Sequence, residues 1–519
     1  MMGSDNSSYE LGNTVAVEAH EAGVSMEVKP FSARSSNGYA DSDQLARLGK
    51  KQVLKRNFGF MSILGFSCTI LITWEAVAVL FAQGLNNGGT AGVIYSFLIV
   101  WVGNFSVFST MCELVSMAPT SGGQYHWVAM MAPRSCAKFL SYLTGILTVG
   151  GWQGSVASSA LLTGNMILGL ISLNNDSFEP KLWQGTLLFW AIFAFAVSIN
   201  TLALTEMSKE LFTSFVNNGG WPSQGLSFMV GIMGNVFAFV GTDAAFHMSE
   251  ETVNPSVVVP ASVLLSLFIN GACGLAMIIA MVFCMGNFDE AINSGPGMLG
   301  FPYIYIFKQA TNSTAGATVM ATIIMILGAC ATVGMLASTS RVFWSFARDR
   351  GLPFWPTLSK VDDRTTVPVW AVAVTTTISV LLSLINLGSP IAFMNVTSLS
   401  ISCLYASYLL AAILLLYRRT TKGFALPATS DLPALANTTG AELVWGPFHL
   451  PGAFGIANNI FTICYLTVVG FFSFWPPVLN PTPDMMNYSV LVTGSVAIFS
   501  VVYYFVQARR DYNGPVVDI

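Results

Sequence analysis

The sequence predicts an all-α polytopic membrane protein, and three observations predict it. Of its 519 residues, 53% are hydrophobic and only 9% are charged, against roughly 25% charged in a soluble domain. Apolar runs of about 20 residues, long enough to cross a bilayer, recur along the chain. Two of these runs carry a lone acid, and one of them is broken by glycines. Helices interrupted at membrane depth are tolerated only where the break faces a cavity or protein interior.

Residues 1–52 are polar, rich in Ser, Gly and Glu, and lack an apolar core. They read as a disordered cytoplasmic tail rather than a signal peptide. The basic cluster Arg47, Lys50, Lys51, Lys55 and Arg56 beside the first run holds the N-terminus in the cytoplasm. A membrane domain over 53–510 and a short cytoplasmic tail over 511–519 follow. Eleven apparent transmembrane runs lie near 58–83, 91–117, 138–173, 183–204, 226–248, 258–286, 316–341, 367–387, 390–417, 453–477 and 486–507. The first contains Glu75 and the fifth Asp243, the acids lying well inside a run. An acid at similar depth in two spans suggests an internal repeat.

Charge placement conflicts with eleven strict crossings. With the N-terminus inside, the loop holding Arg134 and Lys138 is also inside. Alternation then puts Arg348, Arg350, Lys360, Arg364, Arg418, Arg419, Lys422, Arg509 and Arg510 outside, against the positive-inside rule. One more crossing between about 205 and 225 repairs every later loop. The residues there are too few and too polar to supply it. Either a span is absent from this chain, or the long run at 138–173 crosses unusually.

Several chemistries are excluded. The 8 cysteines form no CxxC pair, so no disulfide framework or zinc site is indicated. His247-Met-Ser-Glu-Glu is not HExxH, and no GK[ST] follows Gly122-Gly123-Gln124-Tyr125, so zincin and phosphate-loop readings fail. The glycine pair reads instead as a tight turn with close helix approach. The spans lack a paired nucleophile and base, so no enzyme is expected.

The chain resembles the fungal amino acid, GABA and choline permeases of the amino acid–polyamine–organocation superfamily over about residues 45–510. The resemblance rests on Thr73-Trp74-Glu75, on Glu113-Leu114 leading to Pro119-Thr120-Ser121-Gly122-Gly123-Gln124-Tyr125, and on Gly241-Thr242-Asp243-Ala244-Ala245 with Glu250-Glu251. Ser340-Arg341 and Ala347-Arg348-Asp349-Arg350-Gly351-Leu352-Pro353 complete it. It implies a LeuT-like inverted-repeat fold of twelve helices in which family helices 1 and 6 are broken. Asn200-Thr201 looks like the end of family helix 4 and Leu211 to Gly225 like the loop after helix 5, so helix 5 itself is missing. The charge count reaches the same place without the resemblance.

The candidate substrate-binding residues are Ser67, Thr69, Thr73, Trp74 and Glu75 in the first span, Trp152 in the third, and Phe239, Val240, Gly241, Thr242 and Asp243 in the fifth. An unwound stretch at 239–242 frees backbone groups, and a half-helix starting at Asp243 turns its positive end toward a substrate carboxylate. Asp243 can equally cap that half-helix. Glu75 is a counter-ion for an amine or a proton carrier, since a buried carboxyl holds its proton near neutral pH. Alternatively it pairs with backbone groups near the surface. Trp74 and Trp152 can face an ammonium group or simply pack. The hydroxyls of Ser67, Thr69 and Thr73 line the break or bond back to their own helix. Glu250, Glu251, Arg341 and Arg348 gate the inner side through ion pairs, or the arginines merely anchor it. Asn175 and Asn312 begin glycosylation patterns that fall outside only if the extra crossing is restored.

The function these features imply is secondary active transport of an amino acid, GABA, choline or a related small amine by alternating access. The partners expected are that small-molecule substrate and the lipid bilayer. No metal, cofactor or nucleic acid is expected, and a proton is the expected coupling ion. The plasma membrane is the expected location, with a vacuolar or other endomembrane as alternative. Competing functions are a channel or sensor on the same scaffold and an inactive truncated or mis-spliced product.

Overall fold

The computed structural model describes residues 48, 50, 58–175, 178, 181–196, 217–286, 288–298, 301–362, 367–385, 392–421, 423–425, 436–482 and 486–516. Among these the chain is helical, with three isolated β-bridges. Eight helices are long and apolar enough to cross a membrane, and two shorter apolar helices accompany them.

In chain order the first break separates α1 (Phe60–Leu71) from α2 (Thr73–Val79). Helix α3 (Phe81–Met117) follows, with non-helical backbone at Gly89, where φ is 62°. That residue is where the chain turns back, so the first part of α3 completes the first span. Helix α4 (Gln124–Met131) and α5 (Ala137–Asn174) come next. Helix α5 has 38 residues without a break, about 57 Å at 1.5 Å per residue. The run at 138–173 therefore crosses once, which removes the unusual crossing as a repair of the charge conflict.

Helix α6 (Leu182–Ala196) covers the first part of the 183–204 run. The proposed missing crossing near 205–210 lies outside the described residues. Helices α7 (Gln224–Phe237) and α8 (Ala244–His247) form the second broken pair, closed by a 3-10 turn at Ser249–Glu251. Helix α9 (Pro255–Cys284), three loop helices α10 (Phe288–Asn293), α11 (Gly295–Met298) and α12 (Pro302–Thr311), and the long α13 (Thr314–Arg348) follow. The chain ends with α14 (Trp355–Leu358), α15 (Val369–Ser383), α16 (Ala392–Thr421), α17 (Gly452–Phe472) and α18 (Ser489–Tyr503).

The core is formed by α5 against α13 and α16, and by α3 and α9 against the broken pairs. Small residues let the backbones close: a Cβ at Gly151 of α5 meets the Leu404 amide of α16 at 2.9 Å, and one at Gly154 meets the Ser400 amide at 3.2 Å. The last helix presents an apolar outer face, with Leu491 66% and Ile498 67% exposed, as befits a lipid-facing element.

The broken pairs run antiparallel. The Phe58 amide donates to the Glu251 carbonyl at 3.1 Å, pinning the start of α1 to the end of the α8 turn. At the other end the Asn218 amide donates to the Asn86 carbonyl at 2.9 Å, and Ser227 Oγ to the Asn87 carbonyl at 2.6 Å. Basic residues collect on the face where α1 begins. Lys138 donates to the Arg509 carbonyl at 2.6 Å, Arg134 to the Gly440 carbonyl at 3.3 Å, and Arg418 to the Ala132 carbonyl at 3.2 Å. At the opposite end Asn174 donates to Thr318 at 3.0 Å, so Asn175 and Asn312 lie on the face away from the arginines.

Candidate functional site between two broken helices

The first break is made by Ile72, whose φ of 33° and ψ of 37° are left-handed. A β-branched residue in that region is an outlier, and such positions gather at functional sites. The second break, Ala238–Asp243, turns at Gly241 with φ 98°. Only glycine adopts that conformation without strain. A Cβ on Gly241 also falls 2.9 Å from the Ile70 side chain of α1. The second break thus lies against the end of α1, two residues before the first break.

Asp243 is fully buried. It occupies the position before α8, yet its side chain makes no capping bond. Its Oδ2 accepts from Gln124 Nε2 at 3.0 Å and Trp152 Nε1 at 3.2 Å, and lies 3.3 Å from His247 Nε2. Its Oδ1 has no hydrogen-bond partner. His247, also fully buried, places Nδ1 3.0 Å from the Ser121 carbonyl. The turn before α4 makes room for the imidazole: Gly123 has φ 52°, and a Cβ there meets His247 Cε1 at 3.3 Å. Trp152 sits edge-on to His247 with ring centroids 5.5 Å apart.

The other first-span candidates separate from this cluster. Glu75 is 5% exposed and its Oε2 has no partner. It lies near enough to Cys273 of α9 to act on it electrostatically. Trp74 is half-buried. Ser67 Oγ is buried without a partner, whereas Thr69 bonds back to the Gly65 carbonyl at 2.8 Å. Thr73 Oγ1 is 3.5 Å from the Leu71 carbonyl. In the second break Thr242 Oγ1 donates to the Phe239 carbonyl at 2.7 Å, Phe239 packs on Phe97 at 5.2 Å, and Val240 is buried.

One expectation changes here. Helix α8 has four residues, a single turn, so no half-helix dipole is aimed at a substrate carboxylate. Trp152 donates its N–H to Asp243 and stands at 88° to the His247 ring, so it belongs to the Asp243 cluster. The reading from sequence also missed Gln124 and His247. Both stand in quoted motifs, and the i, i+4 spacing of Asp243 and His247 already puts them on one helix face.

Ion pairs gather on the side where α1 begins. Arg348 holds Glu250 with two nitrogens, at 2.8 and 2.9 Å, and Arg341 Nε donates to Glu251 at 2.8 Å. The Ser121 amide adds a bond to Glu250 Oε1 at 3.1 Å. Burial alone raises the Glu250 carboxyl, but Arg348, Lys50 and the Ser121 amide outweigh it and hold the group at about 2. Beside this pair Asp349 receives Lys50 Nζ at 2.5 Å, Tyr125 Oη at 2.8 Å and the Val516 amide at 3.0 Å. Lys50 is therefore docked although it falls within the expected N-terminal tail, and Val516 within the C-terminal one. On the outer side a small cleft is lined by Gln83, Met233, Asn395, Ser473, Trp475 and Asn487.

A model of the family described as amino acid permease matches residues 58–210 and 205–496. The chain belongs to the amino acid permease family. This permease is 26% identical to a choline transporter of Saccharomyces cerevisiae, over 97% of its own length and 90% of that protein's. It is 24% identical to amino-acid permease 2 of Neurospora crassa, over 91% and 88% of the two chains. An amino-acid permease of Arabidopsis thaliana is 26% identical over 92% and 97%. With its apolar helices, the permease is an integral, multi-pass membrane protein. The ion pair of Glu113 with Arg419, at 2.5 Å, gives the Glu113-Leu114 motif a structural role, tying α3 to α16.

Proposed function

We propose that this permease is a secondary active transporter of a small amine, an amino acid, GABA or choline, working by alternating access. The observation that carries the reading is the contact of Gly241 on Ile70, which joins the breaks of two antiparallel spans. Unpaired backbone groups at such a junction bind a solute at mid-membrane. Choline and amino acids in this range follow the relatives' names, and GABA rests on the sequence resemblance alone. The arginine pairs shut the inner side, while the cleft at Trp475 lies on the outer one. Proton coupling and a plasma-membrane location belong to the same proposal.

The test is competition uptake of labelled choline, GABA and amino acids into a fungal cell lacking its own permeases. Saturable accumulation of one of them is expected. Surface-exposed protein that takes up none of them overturns the reading, and steady ionic current without saturation favours a channel.

A second reading has its own support. The family match comes in two pieces meeting at 205–210, where charge counting asks for a further crossing. On this reading the chain is an inactive product lacking one span. Transcripts across codons 200–215 decide it: an in-frame apolar exon is expected, and its absence from every transcript and from the gene sinks it.

A further inference from the structure

We propose that Asp243 and His247 form a proton-binding site, and that this site carries the coupling proton of the transport cycle. The proposal rests on the transporter reading for its second half only.

The geometry sets the protonation. A backbone carbonyl only accepts, so the Ser121 oxygen 3.0 Å from His247 Nδ1 requires a proton on that nitrogen. Asp243 Oδ2 accepts from Gln124 and Trp152, and two such donors stabilise it as a carboxylate oxygen. His247 Nε2 faces this same oxygen at 3.3 Å. A neutral imidazole with its proton on Nδ1 would point a lone pair at the carboxylate. The contact is favourable when a further proton lies between Nε2 and Oδ2, and the two N–H donors already on Oδ2 favour its imidazolium–carboxylate form. Removing that proton leaves one uncompensated negative charge in a fully buried place, which is costly. The pair therefore binds one proton whose release requires a change in its surroundings.

Those surroundings can change. The pair sits on the single turn after the Gly241 break and before the 3-10 turn. The chain on either side is not held by long helix. The groups facing it from other elements do not titrate near neutrality. Gln124 of α4 and Trp152 of α5 are neutral donors, and Tyr405 and Tyr408 of α16 face Asp243 as neutral phenols. Ser338 of α13 bonds only the Ala244 carbonyl. His126 of α4 turns to the Asn437 carbonyl. The next acids along the segment, Glu250 and Glu251, are closed on Arg348 and Arg341. An inward movement that frees this turn thus exposes one proton site and couples it to the Glu250–Arg348 pair three residues further on.

The test has two arms. In the first, the full-length chain is labelled with 15N-histidine; it has 4 histidines, and His247→Gln assigns the signal. A doubly protonated imidazole is expected at pH 7 and is expected to become neutral when Asp243→Asn is introduced. A neutral His247 at pH 7 in the unsubstituted chain overturns the proton site. In the second, proteoliposomes are given labelled choline and labelled amino acids. The His247→Gln protein is expected to lose at least tenfold more of the accumulation driven by a pH gradient than of the exchange of preloaded substrate. Gradient-driven accumulation equal to the unsubstituted protein overturns the coupling role. If the unsubstituted protein neither accumulates nor exchanges any probe, the transporter reading fails, and the first arm still decides the proton site. Asp243→Glu serves where His247→Gln does not fold: it is expected to retain the imidazolium signal and to shift the pH of half-maximal uptake.

Discussion

Arg348 clasps Glu250 through both terminal nitrogens at 2.8 and 2.9 Å, joining the end of α13 to the turn that follows the second break. Glu250 is 1% exposed, so the guanidinium is what makes its burial tolerable. Arg348→Ala leaves that carboxylate unpaired and should destabilise the protein by about 3–5 kcal/mol. The measurement is the melting temperature of detergent-purified protein. A value within about a degree of the unsubstituted protein would show that the pair does not hold the inner side.

The same pair should be indifferent to physiological pH. The Glu250 carboxyl is held down to about 2 from an ordinary 4.5. A depressed acid contributes stability that is complete above its ordinary value and is lost only as pH falls through the folded one. Between pH 5 and 8 the clasp stays ionised, so Glu250→Gln should leave the shape of the uptake–pH curve unaltered, whatever it does to its height. A displaced curve would make the clasp itself a pH sensor.

His126 should make the fold acid-labile. Burial, helped by the nearby positive Lys50, lowers its imidazole to about 4 from 6.5. The unfolded chain takes up a proton below pH 6.5 that the folded chain refuses until about 4. Stability is therefore lost as pH falls through that window, by up to about 3 kcal/mol. His126→Gln should flatten the fall in melting temperature between pH 7 and 4.5. An equal slope in both proteins would assign the lability elsewhere.

Gly151 is expected to tolerate no side chain. Its missing Cβ allows the Leu404 amide to approach to what would be 2.9 Å. Gly151→Val should separate α5 from α16, costing about 1–3 kcal/mol through overpacking. The readout is the monodisperse fraction after size-exclusion chromatography, with Gly470→Val, where a Cβ meets nothing within 4 Å, as control. Equal yields from both would contradict the packing.

Glu75→Gln preserves shape and removes the exchangeable proton from a carboxyl that has an unpartnered oxygen. Uptake of whichever labelled amine the cell accumulates should fall at least tenfold, with surface expression within about twofold of normal. Unchanged uptake would remove Glu75 from the mechanism.

How much of this was legible in the sequence varies by feature. The second break could be read because Gly241 beside Asp243 is a local signal, a permissive residue next to one that apolar surroundings do not favour. The first break could not be placed, because Ile72 is β-branched and carries no breaker signal although its backbone is left-handed. The end of the first span and the start of the second were split near 84–90, yet α3 begins at Phe81 and turns only at Gly89. The loop helices between 288 and 311 were missed, since short amphipathic turns lack the length that marks a span. Asp243 was singled out, but its partners Gln124 and Trp152 stand 119 and 91 residues away. No periodicity reports a contact of that range. The arginine clasps were visible only as charges, and pairing them needed coordinates.

Lys50 and Val516 both end on one carboxylate, that of Asp349. The first and last described stretches of the chain therefore act as two bolts in a single socket, one residue from the arginine that clasps Glu250. Changing that one carboxylate, as in Asp349→Asn, loosens both bolts at once.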